Sequence, residues 1–109
     1  MGENVRLIDP TTGLPYIAGA LPLTAGTDRS GTAGTSSATL AAANSSRRGL
    51  EIQNVSANNI GINEFGGTAA IGSAGTYTIA AGAQFRVRTN RAISVIASAA
   101  NSAYTATEF

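Results

Sequence analysis

Apolar and polar positions alternate with a period of two in the middle of the chain, between Arg47 and Gly66. Within Leu50–Gln53 and within Ile60–Asn63, each isoleucine or leucine is followed by a polar residue or a glycine. This period is typical of a strand with one buried face. Ser56-Ala57-Asn58-Asn59, between the two stretches, has a turn composition, because Asn tolerates positive φ and bonds its own backbone. The pattern predicts a β-hairpin around which the other strands are arranged.

Further strands are predicted on both sides of this hairpin, because apolar residues recur there between turn residues. Ile93–Ala97 is apolar on both faces, which predicts a central strand or one buried at an interface. Ala80–Ala83, with Gly82, predicts a second hairpin turn. No helical period is found, so six or seven short strands predict an all-β fold, a small antiparallel β-sandwich or jelly-roll-like barrel. The other predicted strands lie around Leu40 within Ser36–Ala43, around Tyr77 and Ile79, over Gln84–Arg88 and over Ala103–Phe109.

The first 30 residues differ from the rest of the chain. They contain all three prolines between short apolar clusters, and proline interrupts a strand ladder. We therefore expect an extended N-terminal arm over residues 1–30, packed on its own domain or on a neighbour, and a β-sandwich domain over 31–109. Asp28–Ser37 has the composition of a linker or a weak edge strand. The candidate partner-binding residues of the arm are Leu7, Ile8, Tyr16, Ile17, Leu21 and Leu23.

The composition indicates a thin hydrophobic core. Alanine accounts for much of the 43% hydrophobic fraction, and there is no Trp. Burial of apolar area stabilises a fold by about 25 cal/mol per Å², so a core this small offsets little more than the entropy lost when its own residues become ordered. The chain contains no Cys and no His, so disulfides and the common metal ligands are not available to stabilise it. Homo-oligomerisation remains, and we expect a trimer.

The charge pattern predicts a protein partner rather than a nucleic acid or a membrane. The net charge is +1, no apolar run approaches about 20 residues, and the N-terminus lacks the apolar core of a signal peptide. All seven basic residues are Arg, which suits planar contacts at interfaces, although genome composition bias explains the same count. The arginines of the β-sandwich domain fall into two clusters. These clusters form either a candidate basic face for an acidic partner, or a solvated face whose arginines pair with Glu51 and Glu64. The residues assigned to this face are Arg47, Arg48, Arg86 and Arg88.

Catalysis is not expected, because the usual general bases and activated nucleophiles need His, Cys or Lys. Glu51 and Glu64, on the strands of the predicted hairpin, are placed to face each other as a glycosidase pair does, or to be solvated or paired with Arg. We expect the second arrangement, and we assign no catalytic, cofactor or metal residue. Asn54 shares the parity of Leu50 and Ile52, so it is expected to point inward and to satisfy backbone groups.

The stretch from Arg47 to about Ala97 resembles a pattern of small tailed-phage virion proteins. The residues that carry the resemblance are RRGLEIQNVS at Arg47–Ser56, IGINEFGG at Ile60–Gly67 and YTIAAGAQF at Tyr77–Phe85. Two positions depart from the pattern: Ala80-Ala81-Gly82 replaces a proline-bearing turn, and Glu64 stands where a hydrophobic or basic residue is usual.

This resemblance implies a non-enzymatic component of a phage particle, most simply a head decoration (cement) protein made in the host cytoplasm and located on the capsid surface. Its partners would be copies of itself and the major capsid protein or another virion protein. Two alternatives stay open. One is a head-fibre base, neck or tail component, and the other is a receptor- or carbohydrate-binding module, which requires exposed aromatic residues.

The thin core generates the first testable prediction, which concerns the oligomeric state. Sedimentation equilibrium at micromolar concentration should show a trimer or another closed oligomer, because burial between copies supplies what the small core lacks. A monomer that persists at every concentration would contradict it.

Overall fold

The computed structural model describes residues 26–109, which form nine β-strands and no helix. All strand pairs are antiparallel. The strands are β1 Thr27–Asp28, β2 Gly31–Ala33, β3 Ala38–Ala41, β4 Leu50–Asn54, β5 Ile60–Asn63, β6 Thr76–Ile79, β7 Gln84–Val87, β8 Ile93–Ala97 and β9 Ser102–Glu108. The predicted all-β sandwich is therefore confirmed.

The strands form two sheets that pack face to face. One sheet has the order β1-β9-β4-β7, with β2 also paired to β9, and the other has the order β3-β8-β5-β6. From β2 onward every connection passes to the opposite sheet except the one from β5 to β6, which are neighbours. This connectivity is that of an eight-stranded jelly roll, and β1 extends its first strand along β9.

The core lies between the two sheets and follows from the period of two. Ile52, Ile62 and Val95, predicted to point inward, are at most 2% exposed. Ile62 lies opposite Val95 across β5 and β8. The remaining large side chains of the core are Leu40, Leu50, Ile60, Ile79, Val87, Ile93 and Tyr104. Several core positions are alanines, including Ala33, Ala41, Ala97 and Ala106, which agrees with the thin core expected from the composition.

Strand β5 is buried on both faces, although its sequence predicted one solvated face. Gly61 occupies the outer position, and a Cβ built there would lie 2.9 Å from Thr76 Cγ2 and 3.0 Å from Ile96 Cγ2. Ile71, in the loop between β5 and β6, also reaches this position. The missing side chain of Gly61 lets neighbouring side chains cover the sheet.

The prediction that β4 and β5 form a hairpin is wrong. β4 pairs with β7 and β9, whereas β5 pairs with β6 and β8 in the other sheet. Asn54 Nδ2 donates to the carbonyls of Asn58 at 2.6 Å and Ile79 at 2.8 Å, so the loop after β4 is tied to a strand of the opposite sheet. The predicted inward Asn54 is confirmed at 0% exposure.

The turn at Ala80–Ala83 also joins two sheets, so it is not the turn of a β-hairpin. Ala83 N donates to Ala80 O at 2.9 Å, and Gly82 has a φ of 79°. Gly82 N donates in turn to Asn54 O at 2.7 Å. The tight turn therefore carries the chain from β6, at the edge of one sheet, directly to β7, at the edge of the other.

The sheet extends back to Thr27, ahead of the domain boundary predicted at residue 31. Thr27 lies opposite Glu108, and Asp28 lies opposite Thr107. The stretch Asp28–Ser37 was predicted to be a linker or a weak edge strand. Edge strands are observed, as β1 and β2. The six predicted partner-binding residues of the arm, from Leu7 to Leu23, lie outside the described residues.

Strand parity leads to a prediction about stability. Ile52→Ala should lower the free energy of unfolding by about 2–5 kcal/mol, because it removes a fully buried side chain and leaves a cavity. Gln53→Ala, on the outer face of the same strand, should cost less than about 0.5 kcal/mol. Urea unfolding of both variants checks this, and equal losses would contradict the assigned faces.

Candidate interaction surface

A buried ion pair joins the last strand to the loops at one end of the sandwich. Arg47 Nε donates to Glu108 Oε2 at 2.7 Å, and the two side chains are 0% and 4% exposed. Arg29, in the link between β1 and β2, approaches Glu108 Oε1 at 2.8 Å. Asn44 Nδ2 donates to Oε2 at 3.5 Å. Glu108 therefore accepts from the β1–β2 link and from the β3–β4 loop.

The rest of the Arg47 guanidinium is satisfied by backbone carbonyls. Its Nη1 donates to Thr89 O at 3.1 Å and to Arg91 O at 2.6 Å, and its Nη2 donates to Ala42 O. The structure thus places Arg47 in the interior and removes it from the predicted basic face. The planar fork of Arg suits this role, because five donors can reach several acceptors at once.

The hydrogen bonds at Glu108 determine its ionisation. Burial by itself would raise the pKa of this carboxyl. The hydrogen bonds from Arg47, Arg29 and Asn44 oppose that effect, and the charge of Arg47 adds to them, so the pKa lies below its ordinary value. Glu108 is therefore ionised in the folded protein at neutral pH.

The other arginines predicted for the basic face lie at the surface. Arg48, Arg86 and Arg88 are exposed. Arg86 Nη1 donates to Glu51 Oε2 at 3.1 Å, between side chains that are both more than half exposed, and its guanidinium lies 5.1 Å from the centre of the Phe109 ring. Glu51 and Glu64 do not form a facing pair, because β4 and β5 belong to different sheets. The pairing of Arg86 with Glu51 is one of the two expected arrangements. Glu64 departs from both, because it is 8% exposed and its Oε1 accepts from the backbone N–H of Arg88 at 3.4 Å.

An open cleft lies where β6 and β7 leave one side of the sandwich without a shared strand. We call it the edge cleft; it has a volume of about 350 Å³. The rings of Tyr77 and Phe85 meet there with centroids 4.9 Å apart and planes tilted by 33°. Tyr77 is nevertheless 50% exposed. The lining residues are Glu64, Tyr77, Gln84, Phe85, Arg86 and Arg88.

Phe65 is a second exposed ring beside this cleft, next in sequence to Glu64. Asn63 Oδ1 accepts from the backbone N–H of Phe65 at 2.9 Å and of Gly67 at 3.3 Å. Gly66, with a φ of 85°, completes the turn. This turn holds Phe65 in solvent at 50% exposure, and Arg91 Nη1 donates to its carbonyl at 3.4 Å.

The sequence pattern does not indicate the edge cleft, because Tyr77 and Phe85 fall within two separate predicted strands. Their parity is a usable signal, since each shares the inward parity of a core residue in its own strand, Ile79 or Val87. The structure places both strands at the edges of their sheets, where these two side chains are not fully covered.

Residues 26–109 bring together no group of three or more acidic side chains suited to a metal ion. No helix in the same part of the chain is long and apolar enough to cross a membrane. The edge cleft, which combines an exposed aromatic ring with two arginines, is the candidate interaction site.

Comparison with known proteins adds no identification: no family model, no curated protein and no solved structure matches this chain.

The buried ion pair leads to a prediction about stability and pH. Glu108→Gln should lower the free energy of unfolding at pH 7 by about 3–5 kcal/mol, because it leaves the Arg47 charge buried without its partner. A carboxyl whose folded pKa is lowered stabilises the fold above its unfolded pKa, which is about 4.3, and loses that contribution as the pH falls through the folded pKa. The stabilities of the wild type and the variant should therefore converge in acid. Urea unfolding from about pH 7 to about pH 2 measures this.

Glu51→Gln is the matched control, because it removes a carboxylate from an exposed pair with Arg86. It should cost less than about 1 kcal/mol. Equal losses in the two variants, or a Glu108→Gln loss that does not depend on pH, would refute the assigned role of the buried pair.

Proposed function

We propose that this chain is a non-enzymatic structural protein of a tailed-phage particle, a head decoration protein that works as a homo-oligomer. The sequence resemblance supports this, since the residues that carry it, Arg47 to about Ala97, form β4 to β8 and so contribute strands to both sheets. The jelly roll is also a fold used by viral capsid domains, which is support by analogy of fold.

The observation that carries the proposal is the composition of the edge cleft. Aromatic residues and Arg are the types enriched at protein–protein interfaces. Here the tilted Tyr77–Phe85 pair, of which Tyr77 is half exposed, lies in one cleft with Arg86 and Arg88, and Phe65 follows the lining residue Glu64 in sequence. Two of the three large hydrophobic side chains that residues 26–109 expose, Phe65 and Tyr77, belong to this region. Such a surface favours a protein partner.

A decoration protein stabilises a capsid because it binds the assembled lattice selectively. A protein that buries its surface across the joints of an assembled lattice, and does not bind the separate subunits, stabilises that lattice by mass action. A closed oligomer presents several copies of the same binding surface, so its affinity for a symmetric lattice exceeds that of one copy. Arg48, the exposed arginine of the basic face that does not line the edge cleft, offers donors to acidic groups of such a partner.

A second candidate function is carbohydrate or receptor binding. It is favoured by one specific observation: Tyr77 and Phe65 expose half of their surface, and sugar rings pack on exposed aromatic faces. Jelly rolls also occur among lectin domains. Binding of the isolated protein on a glycan array would support this function, and binding to a neck or tail assembly but not to heads would support the other virion locations.

The prediction that tests decoration uses heads of the parent particle. The full chain should sediment with assembled heads, should not bind unassembled capsid protein, and should raise the temperature at which the heads rupture. A chain that starts at Thr27, the first residue of β1, should keep its far-UV circular dichroism spectrum and bind heads much more weakly, because it lacks the apolar clusters of the arm.

Full binding by the shortened chain would show that the arm is not the anchor. Absence of any binding to heads by the full chain, together with binding to glycans, would replace decoration by the second function.

A further inference from the structure

The N-terminal segment contains a repeat that ends where the structure begins. Residues 13–19 are GLPYIAG and residues 20–26 are ALPLTAG. Leu, Pro, Ala and Gly recur at the same positions, seven residues apart, and the last glycine is Gly26, directly before β1. We call residues 13–26 the Leu-Pro segment. A short repeat of this kind predicts two copies of one binding motif, each suited to the same type of surface.

The chemistry of the Leu-Pro segment suits an aromatic surface rimmed by hydrogen-bond donors. It contains no charged residue, and its polar groups are backbone C=O and N–H groups and the hydroxyls of Tyr16 and Thr24. Each proline has no N–H and holds φ near −65°, and it restricts the residue before it to extended conformations. Segments of this type bind with little loss of conformational entropy to grooves lined by aromatic side chains.

The edge cleft has the complementary chemistry. The tilted rings of Tyr77 and Phe85 offer an apolar platform, and Tyr77 leaves half of its surface open. Arg86 and Arg88 line the same cleft and supply donors, while Glu64 and Gln84 supply acceptors. An apolar platform with donors and acceptors at its rim fits leucine and proline side chains together with backbone C=O and N–H groups.

The register of the sheet places the last residue of the segment and the cleft at opposite edges of the same copy. Thr27 lies opposite Glu108, Glu108 opposite Leu50, and Leu50 opposite Val87. These four residues form one row across the sheet, about 14 Å from end to end at about 4.8 Å per strand. The segment therefore leaves from one edge of the sheet, while Val87, Arg88 and the edge cleft lie at the other edge.

We propose that the edge cleft binds the Leu-Pro segment of a second copy of this chain. Donation from one edge of a copy to the opposite edge of the next is a head-to-tail contact, which closes into a ring when the rotation between copies allows it. This inference names the partner at the site of the proposed function and rests on that function's homo-oligomer. In this arrangement the cleft closes the ring, and the outer surface of the ring remains free to bind the particle.

The first test identifies which copy supplies the segment. A photoreactive p-benzoylphenylalanine replaces Tyr16 in the full chain, and equal amounts of ¹⁴N- and ¹⁵N-labelled protein are mixed, irradiated and analysed by mass spectrometry. We expect crosslinks to residues within 77–88 that join the two isotopes. Crosslinks within single-isotope chains only, or crosslinks confined to other residues, would overturn the proposal.

The second test separates the two halves of the contact. Tyr77→Ser should weaken self-association by about 10-fold or more, as expected for an exposed aromatic anchor. Val55→Ser is the matched control, because Val55 is 51% exposed and is not a lining residue of the cleft. It should leave the sedimentation profile unchanged. Equal effects of the two substitutions would overturn the proposal.

A complementation experiment completes the design. Leu14→Ser combined with Leu21→Ser should weaken self-association to a similar extent. At a concentration where neither this variant nor Tyr77→Ser forms rings, mixing the two should yield dimers, because each dimer then has one intact segment and one intact cleft. Self-association of either variant as tight as that of the wild type would overturn the proposal. Failure of the full chain to bind heads, with the mixed-isotope crosslinks intact, would instead count against decoration and leave the ring contact standing.

Discussion

The ion pair between Arg47 and Glu108 is the interaction on which the architecture depends most. Glu108 ends β9, and β9 pairs with β1, β2 and β4, so the position of this one strand determines the register of most of its sheet. Arg47 connects Glu108 to the carbonyls of Thr89 and Arg91, in the loop from β7 to β8. A buried charge without a partner is costly. Arrangements of the chain that separate these two residues are therefore disfavoured.

The opposite end of the sandwich is organised by an uncharged residue. Asn54 bonds the β4–β5 loop and the end of β6, and Asn58 Nδ2 reaches Ser102 Oγ at 3.0 Å at the start of β9. Both ends are thus closed by polar side chains that satisfy backbone groups, while the apolar core between them is small and rich in alanine. In a domain of this size such fully satisfied groups specify one chain path among several that would bury the same apolar residues.

The small core also explains where a partner can bind. The jelly roll closes one side through the link from β2 to β3, where Gly34 O accepts from Ala97 N at 2.7 Å. On the other side the edge strands β6 and β7 are not paired with each other, and the contact between Tyr77 and Phe85 covers the opening incompletely. A segment of a second copy would cover these rings, and the burial would add to a core that is thin in the isolated chain.

The sequence by itself determined most of the strands and which residues of them point into the core. Ile52, Ile62, Val95 and Asn54 point inward as predicted, because the period of two is a local property of an extended chain. Only the tertiary structure decided which strands pair. The β4–β5 turn has the composition of a hairpin, yet it crosses between sheets, because β9 and β7 take the two sides of β4. Arg47 and Glu108 are 61 residues apart, and the meeting of Tyr77 with Phe85 requires two different sheet edges. Neither contact follows from a local pattern, since both depend on how the whole chain passes from one sheet to the other.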